Sequence, residues 1–450
     1  MSLIRKSNLK LQPVLFEEFL SFSTKKGQIF ISIFLIGFLS IIVKALLHIS
    51  PKALGDEIFY VLFTENISKN GIYQEMANGN PVGYTIIVNL ISRIGFSILT
   101  SGRILSFIST LAVFIGLWNI GVKFFNFSKP YVIFAILTLI PGIVTSGKYI
   151  YVASDDMYYT AFFIWIAVFI WETANSWNNG WNFMLSGAVL SCTLLIRPLA
   201  LLIFPATIVA LAVTAYFIKR PAFKKYLFIF AYILGFCAVF LLQQTPALVE
   251  KGKIALENKT PDSVKTGVTW LQKSELTNIL RDEGKKTEDG KSASWKQCND
   301  YLTEHGPESL PKHFVQRFMW HPELYIKYCF IGTLKIIFIL FRHTGILLIF
   351  PFILFFLVDF QELRKIIFFE TFYIAYLSLY VIISLNLIET RHFIIPLIFM
   401  VFAGVLALQT MVTKKYKYSN LFGLAQLAIL SIILLQDFNF YFFRTADWIF

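Results

Sequence analysis

Two acidic pairs stand in short polar connections between long apolar stretches. Asp56 and Glu57 lie in one connection, and Asp155 and Asp156 precede an apolar run that begins at Met157. An acid at such a position can cap a helix, because it complements the positive end of the helix dipole. It can equally act as a general base on a hydroxyl within hydrogen-bonding reach. Each pair taken alone leaves both interpretations open.

Basic residues stand in other connections of the same kind. Arg197 lies near the end of one apolar stretch, where Pro198 is expected to mark a sharp turn into the next. Arg342 and His343 precede another stretch, and Arg391 and His392 lie between two more. A guanidinium group suits a phosphate, because its fork donates two parallel charge-assisted hydrogen bonds. Taken singly, such arginines could equally meet lipid headgroups. Acids and arginines together predict chemistry on a lipid-linked phosphosugar.

The composition predicts a membrane protein. The chain has 450 residues, of which 56% are hydrophobic and 15% charged, and its mean hydropathy is +0.65. These values exclude a soluble enzyme, a disordered chain and a fibrous protein, and four cysteines exclude a disulfide scaffold. The net charge of +13 is typical of basic cytoplasmic loops, and we expect no nucleic-acid partner.

The apolar stretches predict an all-α polytopic protein with about eleven spans, since a span needs about 20 mostly apolar residues. The predicted spans are 28–48, 103–122, 131–149, 157–174, 182–199, 200–218, 226–246, 344–360, 366–386, 393–411 and 421–441. Two shorter or charged stretches, 82–98 and 326–341, are expected to lie in the outer interface. If both spanned, the basic run 219–225 would face outward, against the positive-inside rule.

This topology predicts four regions and places the acids and arginines together on the outer face. The regions are a cytoplasmic N-terminus (1–27), a transmembrane module (28–246) with a first outer loop (49–102), an extracytoplasmic loop domain (247–343) with the interfacial helix 326–341, and C-terminal transmembrane helices (344–450). Within the loop domain, the polar block 247–325 is predicted to form a helical cap that recognises the acceptor. A solvated connector is the alternative.

Several short motifs resemble, in order and spacing, those of the polytopic GT-C glycosyltransferases. The match is to the protein O-mannosyltransferase and aminoarabinose transferase (ArnT-like, PMT-type) branch. The motifs are Asp56-Glu57 with Tyr60, Pro81-Val82-Gly83-Tyr84, Arg103, Asp156-Met157, Arg197-Pro198, and Arg391-His392 followed by Pro396. Asn80 and His392 depart from the family pattern, which has Lys or Pro at the first position and Tyr at the second.

The resemblance implies a GT-C fold and an inverting transfer from a polyprenyl-phosphate sugar to a glycan, lipid or protein acceptor. Asp56 would be the base, and Asp156, with Glu57 and Asp155, would complete the catalytic group. The implied donor-phosphate ligands are Arg391, Arg197, His392 and Arg342. The implied substrate-binding residues are Tyr60, Tyr84, His343 and Lys148. No cofactor is required, although Asp56 and Asp156 could share a divalent metal ion.

The implied location is the bacterial inner membrane, with a cytoplasmic N-terminus and a periplasmic active site facing membrane lipid. Two other functions stay open, an O-antigen polymerase or ligase and a lipid-linked glycan transporter or flippase. The acids lie in outer connections, whereas transporters place coupling sites near the bilayer midplane. This placement favours the transferase.

Overall fold

The structure is a computed structural model, and it consists of helices joined by turns. It describes residues 18–19, 24–47, 52–53, 56–80, 82–145, 156–176, 179–198, 200–217, 221–255, 267–287, 292–312, 314–349, 360–384, 390–414, 416 and 418–439. No strand occurs among these residues. The all-α prediction is therefore confirmed for the described part of the chain.

While the greater part of the stretch 344–360 lies outside the described residues, most of the predicted apolar stretches correspond to helices. Before the polar block these are α1 (Lys25–Leu47), α2 (Asp56–Ala77), α3 (Val82–Ser92), α4 (Ile98–Asn119), α5 (Lys129–Thr145), α6 (Asp156–Ser176), α7 (Gly180–Cys192), α8 (Ala200–Tyr216) and α9 (Ala222–Lys251). The later helices are α10 (Trp270–Asp282), α11 (Trp295–His305), α12 (Phe314–Trp320), α13 (Pro322–Thr344), α14 (Phe360–Ser384), α15 (Ile394–Thr413) and α16 (Ser419–Asn439). Short 3₁₀ turns at Thr193–Leu195, Gly345–Leu348 and Thr390–Phe393 join some of them.

Four helical segments among the described residues are long and apolar enough to cross a membrane. They are Ile98–Lys123, Phe223–Lys251, Pro322–Leu348 and Ile394–Thr413. Shorter apolar helices accompany them at Val82–Ser92, Lys129–Ile140, Gly180–Leu195, Ala200–Tyr216, Ile367–Ile382 and Ser419–Ile433. These helices indicate a membrane protein, while the number of spans and the GT-C fold stay predictions.

Helix α15 lies at the centre of the bundle. Of the residues in its most apolar stretch, 83% are buried. The helix packs against α5, α14 and α16. Phe399 of α15 stacks on Phe369 of α14 with ring centroids 4.8 Å apart, and Phe402 stacks on Phe127 at 5.8 Å. Helix α15 is thus the element around which the later helices assemble.

Two glycines allow α7 and α9 to touch backbone to backbone. A Cβ atom on Gly187 would overlap the carbonyl oxygen of Tyr232, and one on Gly235 would overlap that of Met184. Small residues at a helix crossing permit this close approach, which drives helix association in lipid through van der Waals packing. This contact fixes α9, whose C-terminal end also packs against α2.

Helix α13 differs from the short interfacial helix predicted over 326–341. It runs unbroken over Pro322–Thr344 and ends at Gly345, whose φ of +57° favours glycine. Gln426 of α16 stabilises this break, because its side-chain amide donates to the Thr344 carbonyl at 2.8 Å and accepts from the Ile346 N–H at 3.0 Å. The predicted boundary between 341 and 344 therefore agrees with the break within a few residues, whereas the helix begins four residues earlier than predicted. Whether this helix lies in the interface stays a prediction.

Helix α3 occupies the first part of the stretch 82–98, and its location in the outer interface stays a prediction. It has 11 residues, which corresponds to a length of about 16 Å. The hydrocarbon core of a bilayer is about 30 Å thick. Helix α3 alone is therefore too short to span it.

The described part of the polar block 247–325 contains helices that pack together, and whether they cover a site stays a prediction. Helices α10, α11 and α12 belong to this block. They enclose a small hydrophobic cluster that is separate from the bundle core and consists of Val268, Leu276, Leu280, Ala293, Cys298 and Leu310. We call residues 267–320 the cap. Its role in acceptor recognition stays a prediction.

Candidate functional site

The predicted catalytic acids stand at helix starts. Asp56 is the first residue of α2 and Asp156 the first residue of α6. Arg391 lies in the 3₁₀ turn Thr390–Phe393, which leads into α15. For these three residues the structure describes the backbone alone. Asp155 and Lys148 lie outside the described residues.

Glu57 is paired with Arg103. The guanidinium Nε and Nη2 donate to the two carboxylate oxygens at 2.8 and 2.9 Å, and Glu57 is only 2% exposed. This bidentate geometry is the strong form of a charge-assisted pair. It fixes the start of α2 against α4, so the geometry gives Glu57 a positioning contact next to Asp56. Proton transfer by Glu57 itself stays a prediction.

Three tyrosines form a line of ring contacts behind the starts of α2, α3 and α6. The ring of Tyr84 lies 5.1 Å from that of Tyr60 and 6.0 Å from that of Tyr158. The Tyr84 hydroxyl donates to the Gly102 carbonyl at 3.1 Å. Tyr60 and Tyr84 are both buried, so they join three helix starts and belong to the packed interior in this structure. Substrate binding by either tyrosine stays a prediction.

The segment that contains Gly83 packs directly against the turn before Arg197. A Cβ atom on Gly83 would lie 3.0 Å from the Ile196 side chain and 3.1 Å from the Leu195 carbonyl oxygen. A larger residue would push these two segments apart. Glycine at this position therefore brings the Pro-x-Gly-Tyr motif to the Arg197-Pro198 motif.

Arg197 stands where the chain breaks between α7 and α8. The predicted break near Pro198 is confirmed, because the 3₁₀ turn Thr193–Leu195 ends α7 and α8 begins at Ala200. Arg197 is 5% exposed, and its backbone N–H donates to the Thr193 carbonyl at 2.9 Å. Arg197 lies within electrostatic range of Tyr376 of α14, and so do Tyr159 and Tyr380. Arg197 therefore faces the same interior region as the end of α14.

Two tyrosines of α14 hold His392. The Tyr376 hydroxyl donates to the His392 carbonyl at 3.1 Å, and the Tyr380 hydroxyl is hydrogen-bonded to His392 Nδ1 at 2.7 Å. These tyrosines are four residues apart and therefore share one face of the helix. Because His392 follows Arg391, the 3₁₀ turn that carries Arg391 is held through both the backbone and the ring of His392.

The first turn of α6 joins these two groups. Tyr158 contacts Tyr84 of α3, and the adjacent Tyr159 lies within electrostatic range of Tyr376. Asp156 begins the same helix. The structure thereby brings the surroundings of Tyr60, Tyr84, Arg197 and His392 to one end of the bundle.

Arg342 and His343 are not brought to this group. The start of α13 touches the end of α14, where the Tyr325 hydroxyl donates to the Ile382 carbonyl at 3.2 Å. Arg342 stands almost five turns later, about 25 Å along the helix axis. Leu347 lies against Gly404, about 15 Å along α15 from its start. Helix α13 therefore carries Arg342 and His343 away from the end that holds Tyr84 and His392. Their predicted outer location and their roles in binding stay predictions.

The sequence does not predict several of the contacts in this arrangement. Arg103 stands out in the sequence only as an arginine before a span, and its partner Glu57 is 46 residues away. Tyr376 and Tyr380 look like ordinary aromatic residues of an apolar helix. Their four-residue spacing is the available signal, because it places both hydroxyls on one face.

No metal-binding group is found in the described part of the chain. No three or more His, Cys, Asp or Glu side chains converge there in a way that could hold an ion. The predicted shared metal ion depends on Asp56 and Asp156, whose side chains are not described. It stays a prediction.

No family model, curated protein or solved structure matches this chain. The resemblance to the GT-C glycosyltransferases therefore rests on the order and spacing of the motifs. The structure shows, in addition, which of those motifs lie close together at the starts of the helices.

Proposed function

We propose that this chain is an inverting glycosyltransferase that moves a sugar from a polyprenyl-phosphate donor to an acceptor. The reaction would take place at the outer face of a bacterial inner membrane. The observation that carries the proposal is the placement of the first turn of α6, where the Tyr158 ring contacts the Tyr84 ring and Tyr159 lies within electrostatic range of Tyr376. Motifs distant in sequence and typical of this chemistry thus share one end of the bundle.

The acceptor is activated at the start of α2. In the proposed reaction Asp56 takes the proton from the acceptor hydroxyl as its oxygen attacks the anomeric carbon. The Glu57–Arg103 ion pair supports this role, because Glu57 is the residue next to Asp56 and is fixed by this buried pair. Asp156, at the start of α6, would orient the acceptor from the neighbouring helix.

The donor phosphate is bound on the opposite side. As the new glycosidic bond forms, the bond between the anomeric carbon and the phosphate oxygen breaks, and its electron pair leaves with the polyprenyl phosphate. Arg391 and Arg197 would stabilise this developing charge. Preorganised electrostatic stabilisation of this kind often contributes more to catalysis than any other effect. The burial of Arg197 strengthens it, because the local dielectric constant is low.

The test is an assay of the purified chain in lipid nanodiscs. The protein is incubated with polyprenyl-phosphate hexoses and pentoses, with and without lipid A or glycan acceptors. We expect release of polyprenyl phosphate that increases when an acceptor is present. Consumption of a pyrophosphate-linked oligosaccharide, supplied in a parallel reaction, would instead identify a polymerase or ligase. Movement of an intact donor across the membrane of sealed proteoliposomes would identify a flippase. Either result overturns the proposal.

One observation favours the transporter alternative and makes it testable. Glu370 in α14 is 3% exposed, and its Oε1 has no hydrogen-bond partner among the described residues. Ionisable residues inside a membrane segment commonly mark ion or proton pathways. Glu370→Gln should leave polyprenyl phosphate release unchanged in a transferase, whereas it should abolish ion-coupled transport in a transporter.

A further inference from the structure

The C-terminal end of α14 is capped by a residue from another helix. The last four carbonyls of a helix have no partner within it, and Ile382 belongs to the last four residues of α14. The Tyr325 hydroxyl of α13 donates to this carbonyl at 3.2 Å. Tyr325 therefore fixes the position of the last turn of α14.

The ring of Tyr325 is held by the cap. The Arg317 guanidinium lies over it, 5.9 Å from the ring centroid, and Phe318 meets it edge to face at 5.6 Å. Arg317 also pairs with Glu275 of α10, with Nε and Oε2 2.5 Å apart and both side chains buried. A cation over an aromatic face is attracted by the ring quadrupole. The position of Tyr325 thus depends on a buried ion pair inside the cap.

Helix α13 is joined to the cap at two further points. The Lys327 ammonium pairs with Asp282 of α10, and the Tyr328 hydroxyl donates to the Asn278 carbonyl at 3.1 Å. Tyr328 thus makes the same kind of bond as Tyr325, but to the cap instead of to α14. It offers a matched comparison within one helix.

The end of α14 that Tyr325 fixes is also the end that holds His392. Tyr380 lies within one helical turn of Ile382, and its hydroxyl is hydrogen-bonded to the His392 ring. A shift of this turn would therefore be transmitted to the 3₁₀ turn Thr390–Phe393. Helices transmit such shifts because they are rigid elements.

We infer that the path Glu275–Arg317–Tyr325–Ile382 couples the cap to the turn that carries Arg391 and His392. This inference rests on the proposed function, in which that turn binds the donor phosphate and the cap meets the acceptor. Tyr325 is then a positioning residue: acceptor binding at the cap sets the geometry of the donor turn.

The interior of the cap is suited to respond to a polar acceptor. Oδ1 of Asn278, and Nη1 and Nη2 of Arg317, are buried without a hydrogen-bond partner among the described residues. Buried polar groups without partners are rare and costly. A polar group that reached this cluster would gain these bonds and shift Arg317 relative to Tyr325.

The first test is hydrogen exchange, which needs no activity. Tyr325→Phe removes one hydroxyl and retains the ring under Arg317. We expect faster exchange over 380–393 in this variant. Tyr328→Phe should leave exchange there unchanged, because its bond to the Asn278 carbonyl is not part of the proposed path. Equal exchange over 380–393 in the two variants, or no change in Tyr325→Phe, would overturn the coupling.

The second test uses donor kinetics. Tyr325→Phe should raise the donor KM about threefold to tenfold, the loss expected for one hydrogen bond, with Tyr328→Phe near the wild-type value. A variant with an unchanged donor KM contradicts the inference. If the wild-type chain releases no polyprenyl phosphate at all, the proposed function fails, and the exchange comparison still decides whether the cap and the turn are coupled.

Discussion

Glu57 and Arg103 are joined by two parallel hydrogen bonds of 2.8 and 2.9 Å, although 46 residues separate them. The pair ties the start of α2 to α4 and buries the carboxylate almost completely. Because Asp56 precedes Glu57, the backbone of the proposed base is anchored by its neighbour. The anchoring of α2 thus depends on an ion pair that bridges two helices.

Arg103→Met should strongly destabilise the protein. It leaves the Glu57 carboxylate buried without its partner, which typically costs about 3–5 kcal/mol. We expect a lower Tm in thermal unfolding in nanodiscs. The exposed Arg93→Met is the control, and the double variant Glu57→Met with Arg103→Met should recover part of the loss. Equal Tm values for Arg103→Met and Arg93→Met would contradict a structural role for the pair.

The sequence predicts helices well because the length of an apolar stretch is a local property. The stretches 157–174 and 393–411 correspond to α6 and α15 within a few residues. The partner of Glu57 could not be predicted in this way. A pair between distant residues depends on how the helices pack, and Arg103 carries no local signal of its partner.

Gly187→Val should prevent normal packing of α7 on α9. The added side chain would overlap the Tyr232 backbone, and the helices would have to separate. We expect a large loss of folded protein in fluorescence-detected size-exclusion chromatography. Leu234→Ala, which alters an exposed residue beside Gly235, serves as the control. Normal yield and Tm for Gly187→Val would show that the close helix contact does not form.

Cys298 should be unreactive in the native cap at alkaline pH. Burial raises the pKa of its thiol to about 12, above the usual value of about 8.5. Raising the pH from 7 to 9 ionises an ordinary thiol but leaves Cys298 protonated, so the native protein should gain little labelling by iodoacetamide. Peptide mass spectrometry after labelling measures this, with the denatured protein as control. Fast native labelling at pH 9 would mean that the cap is open.

Tyr380→Phe should weaken donor use. It removes the hydrogen bond to the His392 ring and loosens the turn that carries Arg391. The expected rise in donor KM is about threefold to tenfold, as for the loss of one hydrogen bond. Tyr373→Phe is the control, because the Tyr373 hydroxyl donates to Glu370 of the same helix instead. Steady-state release of polyprenyl phosphate gives both values, and an unchanged KM for Tyr380→Phe would remove this positioning role.

The largest departure from the sequence prediction concerns α13. Lys327 and Lys335 favour a short helix in the interface when hydropathy alone is considered. In the structure Lys327 stands near the polar start of the helix and pairs with Asp282 of the cap, so its charge does not interrupt the apolar part. A charge whose partner lies in a separate segment cannot be interpreted from hydropathy, and this is why the sequence does not predict that α13 begins at Pro322 and extends to Thr344.

In the proposed reaction, Asp56 removes the acceptor proton during sugar transfer. The most direct measurement of this role is the single-turnover rate of polyprenyl phosphate release by Asp56→Asn in nanodiscs, with Glu65→Gln of the same helix as control. General base catalysis contributes about 10²–10⁴-fold, so we predict a loss of that size at an unchanged Tm. A rate near that of the wild type in Asp56→Asn would contradict the assignment of Asp56 as the base.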